Sequence, residues 1–94
     1  MAAITSDDFD RTEAFVRWLM SEYPVDDDLR EWAELDFDYG YPCSPMTEIF
    51  SAFQTRGIKI PAEVFDEAMR HFEIHRGPAD AADWRAVFSD IVAD

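Results

Sequence analysis

Apolar residues recur at helical spacing through nearly the whole chain. From about Asp7 to Glu22, the residues Phe9, Val16, Leu19, Met20 and Tyr23 gather on one side of a 3.6-residue repeat, and Phe15 and Trp18 widen that side. Thr5 or Ser6 can cap this helix, Asp7 and Asp8 suit its positive end, and Tyr23-Pro24 stops it. A second, shorter helix is expected from near Asp26 to near Leu35, on a stripe of Leu29, Trp32 and Ala33. Asp36 to Pro45 then reads as a loop, because Gly40, Pro42 and Pro45 all punctuate it.

Ser44-Pro45 has the form of a cap followed by a proline in the first helical position. The third helix places Met46, Ile49, Phe50 and Phe53 at i, i+3, i+4 and i+7, and Gly57 suits the left-handed residue that ends it, with Ile58 folding back on the last turn. Ile58-Lys59-Ile60 is a short extended connector, too brief for a sheet. Pro61 opens a fourth helix to about Arg76 on Val64, Phe65, Ala68, Met69 and Phe72, and Gly77-Pro78 closes it. A fifth, from about Asp80 to Val92, would carry Trp84, Val87, Phe88, Ile91 and Val92 on one face. The pattern predicts an all-α fold, a compact bundle of about five short helices forming a single domain over residues 1–94, with no internal repeat.

Composition sharpens this picture. Hydrophobic residues make up 48% of the chain and aromatics 15%, which excludes disorder, and 94 residues can close one core. The single cysteine, Cys43, cannot form a disulfide within the chain, so a reducing, cytoplasmic setting is expected. The first residues, MAAITSDDFD, lack the basic and apolar regions of a secretory signal, and no apolar run approaches the ~20 residues that span a bilayer, so no membrane partner is expected.

Charge changes the picture most. Asp and Glu number 21 against 8 Lys and Arg, a net of −13. Residues 1–40 hold 12 acids and 3 bases, so most of the excess lies in the amino-terminal part. Between positions 26 and 38 stand seven acids, Asp26, Asp27, Asp28, Glu31, Glu34, Asp36 and Asp38, opposed only by Arg30. Such a field attracts basic partners and repels nucleic acid. Duplex DNA carries one charge per ~1.7 Å of axis, and a rigid row of carboxylates can occupy a groove built for that density. Trp32, Phe37, Tyr39 and Tyr41 interleave with these acids. Trp32 and Phe37 are expected in the core. Tyr39 and Tyr41 either seal the loop or, with Trp32 if it is exposed, anchor a partner whose approach the acids steer. The candidate partner-binding residues are therefore the seven acids together with Tyr39 and Tyr41.

Other chemistry is poorly supported by the residues. Glu67, His71 and His75 recur every four positions, a spacing that can chelate zinc, but they do not form H-E-x-x-H and no further ligand is evident; no metal and no cofactor are expected. Counted from Asp36, the calcium-loop pattern fails, because Gly40, Tyr41 and Thr47 stand where a ligand, the glycine and the glutamate belong. Helices three and four can be drawn as a helix-turn-helix, but the second would expose Glu63, Asp66, Glu67 and Glu73 with only Arg70 and Arg76 in opposition, so direct nucleic-acid binding is not expected. Cys43 has no motif that places a histidine beside it, and three scattered glycines make no phosphate loop. The chain is not expected to be an enzyme.

Small size, an all-helical pattern, strong acidity and the absence of a catalytic signature make the chain similar, across its whole length and by composition, to phage-encoded anti-CRISPR proteins that act as nucleic-acid mimics. It also resembles bacteriocin immunity proteins, acidic helical bundles in which acids and tyrosines beside a proline block a basic nuclease; Asp38-Tyr39-Gly40-Tyr41-Pro42 has that form. Either resemblance implies an inhibitor that works by occupying a basic, nucleic-acid-binding surface. The alternative is a non-enzymatic adaptor or oligomerising subunit whose surplus apolar surface pairs with another chain. The oligomeric state is left open.

Overall fold

A computed structural model describes residues 4–94; the first three residues of the expected domain, which also begin the stretch MAAITSDDFD, lie outside the described residues. Five helices follow one another: α1 (Ser6–Glu22), α2 (Asp27–Asp38), α3 (Ser44–Arg56), α4 (Ala62–Arg76) and α5 (Pro78–Val87), with a 3-10 turn at Ser89–Ile91. The all-α expectation holds. The radius of gyration is 12.6 Å, against about 12.4 Å for a compact chain of this length, so the helices pack as one body. None of the described helices is long and apolar enough to cross a membrane.

Local chemistry sets the helix ends. Thr5 caps α1 through a reciprocal pair: the Asp8 N–H donates to Thr5 Oγ1 and the Thr5 N–H to Asp8 Oδ2, both at 3.1 Å. The carboxylate of Asp8 is held below the usual range chiefly by the Thr5 backbone N–H. At the other end Tyr23 turns extended ahead of Pro24. Gly57 closes α3 in the left-handed conformation (φ 69°), and the Ile58 N–H returns to Phe53 O at 2.9 Å, as the sequence predicts.

Three expectations need correction. First, α2 does not stop near Leu35; it runs to Asp38. Gly40 (φ 87°) then reverses the chain, the Gly40 N–H donating to Phe37 O at 3.2 Å and the Tyr41 N–H to Asp36 O at 2.8 Å. These two bonds form the paired helix-ending motif that a glycine permits. Gly40 therefore marks the end of α2 rather than the middle of a loop, and the extra turn buries Phe37. Second, the residue capping α3 is Cys43, with Ser44 and Pro45 already inside the first turn.

Third, α5 starts at Pro78 and ends at Val87, short of the predicted Val92. Val87 is exposed, while the 3-10 turn carries Phe88 and Ile91 inward. Val92 is extended and pairs in parallel with Ile60: the Ile60 N–H donates to Ile91 O and the Ala93 N–H to Ile60 O, each at 2.8 Å. Ile60 is wholly buried, and its backbone groups need partners that a continued helix would not offer.

The core gathers Val16, Leu19, Met46, Ile49, Phe50, Phe53, Phe72 and Phe88, all essentially inaccessible. Phe50 meets Phe88 edge-on at 5.5 Å, and Trp84 stacks on Phe88 at 5.4 Å. This core fixes α3, α4 and α5 together, with α2 lying against α3 and α1 meeting α4.

Candidate protein-binding face

The helix α2 is amphipathic in an unusual sense: it has two apolar stripes. Leu29, Ala33 and Phe37, at i, i+4 and i+8, form the inner one; Ala33 and Phe37 are buried. The small Ala33 lets α2 lie close to its neighbours. Trp32 does not join them, contrary to expectation. It is 59% exposed, and so are Leu35 (45%), Tyr39 (74%) and Tyr41 (58%). With 3.6 residues per turn, Asp28, Trp32, Leu35 and Tyr39 fall within about 60° of arc on the outer side. Over the eleven steps from Asp28 to Tyr39 this stripe runs about 16 Å at 1.5 Å per residue.

Acids border the stripe. By the same periodicity Glu31 and Asp38 flank it on one side and Asp36 on the other. Asp27, Asp28, Glu31 and Asp38 are exposed and Asp36 is half-buried. Burial pushes the Asp36 carboxyl up, away from its ordinary value. Among the described residues, none of these five has a basic group within ion-pair distance.

The bases nearest to α2 are turned to structural work. Arg30 folds back from the helix and donates to Met20 O at 2.5 Å and Val25 O at 3.3 Å. Arg17 of α1 donates to Glu34 through two N–H groups, at 2.5 and 3.1 Å, and to Glu13 at 3.0 Å. Its guanidinium carbon also lies 4.7 Å over the Phe37 ring. These bonds raise the Arg17 pKa and lower that of Glu34. Asp26 precedes the first turn of α2 and stands 4.0 Å from Arg56. Of the nine candidate residues, Glu34 and Asp26 thus serve the fold as well; Asp27 and Asp28 stand in the first turn of α2, Glu31 and Asp36 border its outer side, and Asp38, Tyr39 and Tyr41 lie at or just past its carboxyl end.

The histidine pair has another role. Thr12, fully buried on α1, places Oγ1 2.6 Å from His71 Nδ1 and 2.8 Å from His75 Nε2. A hydroxyl has one proton, so at most one ring accepts from it and the other must donate. Phe15 stacks on His71 at 5.0 Å, and Glu67 Oε1 is 3.7 Å from His71 Nε2. Desolvation lowers the pKa of both imidazoles. Among the described residues no group of three or more His, Cys, Asp or Glu side chains is placed to hold a metal ion. Cys43 is buried, and burial pushes its thiol pKa up.

Sequence reading missed the outer stripe because it ended α2 too early. Once the helix includes Asp38, the signal is present: Trp32, Leu35 and Tyr39 recur at i, i+3 and i+7, opposite a complete inner set. No known family, curated protein or solved structure matches this chain.

Proposed function

We propose that this chain is an inhibitor that binds a basic, nucleic-acid-binding surface of another protein and blocks it by occupancy, as its resemblance to acidic anti-CRISPR proteins implies. The observation that carries the reading is the outer side of α2, where Trp32, Leu35 and Tyr39 stand exposed among carboxylates that have no basic partner among the described residues. Surface aromatics of this kind bring energy when buried by a partner, and the surrounding acids bring long-range attraction and register. The outward side of α4 favours a protein over a nucleic acid as the partner, since Glu63, Asp66, Glu67 and Glu73 are exposed there. Occupancy rather than chemistry also suits a thiol that is buried and histidines engaged by Thr12.

The test is capture from a bacterial lysate at low and raised salt, using the native chain beside a variant carrying Asp27→Asn, Asp28→Asn, Glu31→Gln and Asp38→Asn. The native chain is expected to retain a basic nucleic-acid-binding protein, to release it as salt shortens the screening length below ~8 Å, and to compete with that protein's own nucleic acid. Equal retention by the neutralised variant, with the same salt dependence, removes this face as the interface.

A further inference from the structure

The fold already shows how α2 holds a cation. Arg17 lies against the Phe37 ring while Glu34, one turn earlier on the same helix, takes two of its N–H groups. The combination recurs at Arg85, which sits 5.5 Å over Phe65 and bonds Asp66 at 2.9 Å. In each case a planar guanidinium uses its face on a ring and its edge on a carboxylate, which an ammonium group cannot do. The acid-then-aromatic spacing of Glu34 and Phe37 is i, i+3. On the outer side of α2 it is repeated by Asp36 and Tyr39, and at i, i+4 by Asp28 and Trp32. Residues at these separations are neighbours on a helix surface.

We propose that the outer face of α2 is a receptor for arginine side chains of the partner, each guanidinium stacking on Trp32 or Tyr39 while Asp28 or Asp36 accepts its N–H groups. The proposal rests on reading this face as the partner-binding surface and deepens it: the complementary surface is arginine-bearing, not merely positive. Charge complementarity supports it, since the two nearby arginines of the chain itself, Arg17 and Arg30, are committed elsewhere. Partial burial raises the Asp36 pKa, and a cation bonded there would offset that desolvation.

Two probes decide the matter: a short oligoarginine peptide and an oligolysine peptide of equal length and charge, each titrated into the isotope-labelled chain and followed by amide and indole NMR shifts. Oligoarginine is expected to bind severalfold more tightly, because a guanidinium can stack on the ring and bond the neighbouring carboxylate at two points while an ammonium can do only one at a time, and to shift the signals of Trp32 and Tyr39. In a Trp32→Leu, Tyr39→Leu variant, whose changes lie on the surface, that preference should shrink, with oligoarginine losing more affinity than oligolysine. Equal affinity for the two peptides with shifts along α2 overturns the arginine inference and leaves the acidic interface standing. Shifts that avoid α2 with both peptides overturn both.

Discussion

Thr12 and His71 are joined across the contact between α1 and α4 by a 2.6 Å hydrogen bond, and the same hydroxyl reaches His75. This polar network lies beside the apolar contacts that α1 makes through Val16, Leu19 and Met20, and Phe15 is the ring that covers His71.

Stability should therefore depend on histidine protonation. Both imidazoles have pKa values lowered from 6.5 by burial, so the folded state favours their neutral forms. A group depressed in this way contributes fully above its unfolded pKa and loses its contribution as pH falls through the folded one. Asp8 and Glu67 oppose the depression of His71, Arg70 and His75 add to it, and desolvation leads. Urea unfolding at pH 7.5 and 5.5 should show a loss at the lower pH that is smaller in His71→Phe. At pH 7.5, Thr12→Val should cost about 1–3 kcal/mol by leaving the buried Nδ1 of His71 without a partner.

Gly40 sets where Tyr39 and Tyr41 stand. At φ 87°, any other L-residue is strained, although an added β-carbon would meet only Phe9 at an ordinary 3.8 Å. The cost of Gly40→Ala is thus conformational, about 1–2 kcal/mol, and Gly40→Asn should cost less because asparagine tolerates the left-handed region. Thermal unfolding of the two variants gives the order. If alanine is no worse than asparagine, strain at this turn is not what positions the tyrosines.

Cys43 offers a probe of opening. Its thiol is buried and its pKa raised by desolvation, so the reactive thiolate is scarce at neutral pH. Labelling by a thiol reagent should be slow in the native protein, fast in urea, and should track the stability lost in the Thr12 and Gly40 variants. Rapid native labelling would show that the end of α2 and the start of α3 open independently.

How far the sequence goes is clearest at Gly40 and Phe88. Periodicity alone placed the five helices and most of their buried faces, because spacing and apolar burial reinforce each other along α1, α3 and α4. It failed where a tertiary demand outweighed the local signal. Phe37 is drawn into the core by one more turn of α2, and Ile60 needs backbone partners that Ile91 and Ala93 supply only if α5 ends early. The acids of the candidate face are legible in the sequence. The exposure of Trp32 is not legible while α2 ends near Leu35, because Phe37 and Tyr39, the residues that assign Ala33 to the inner stripe and Trp32 to the outer one, then lie outside the helix.

The pairing of Arg17 with Glu34 and Phe37 makes the arginine preference of α2 testable within the chain. Arg17→Ala empties one such site and uncovers one side of the Phe37 ring, while the apolar residues of the core are unchanged. Arg17→Lys keeps the charge but loses both the two-point bond and the flat contact with the ring. If the site selects the guanidinium for its shape, arginine amide added to the alanine variant should raise its melting temperature more than lysine amide does, relative to the same additions to the native chain. The lysine variant should melt nearer to alanine than to native. A lysine variant as stable as the native chain, with no difference between the two additives, would mean that Glu34 responds to charge alone, and the outer face of α2 would then have no claim to distinguish arginine from lysine.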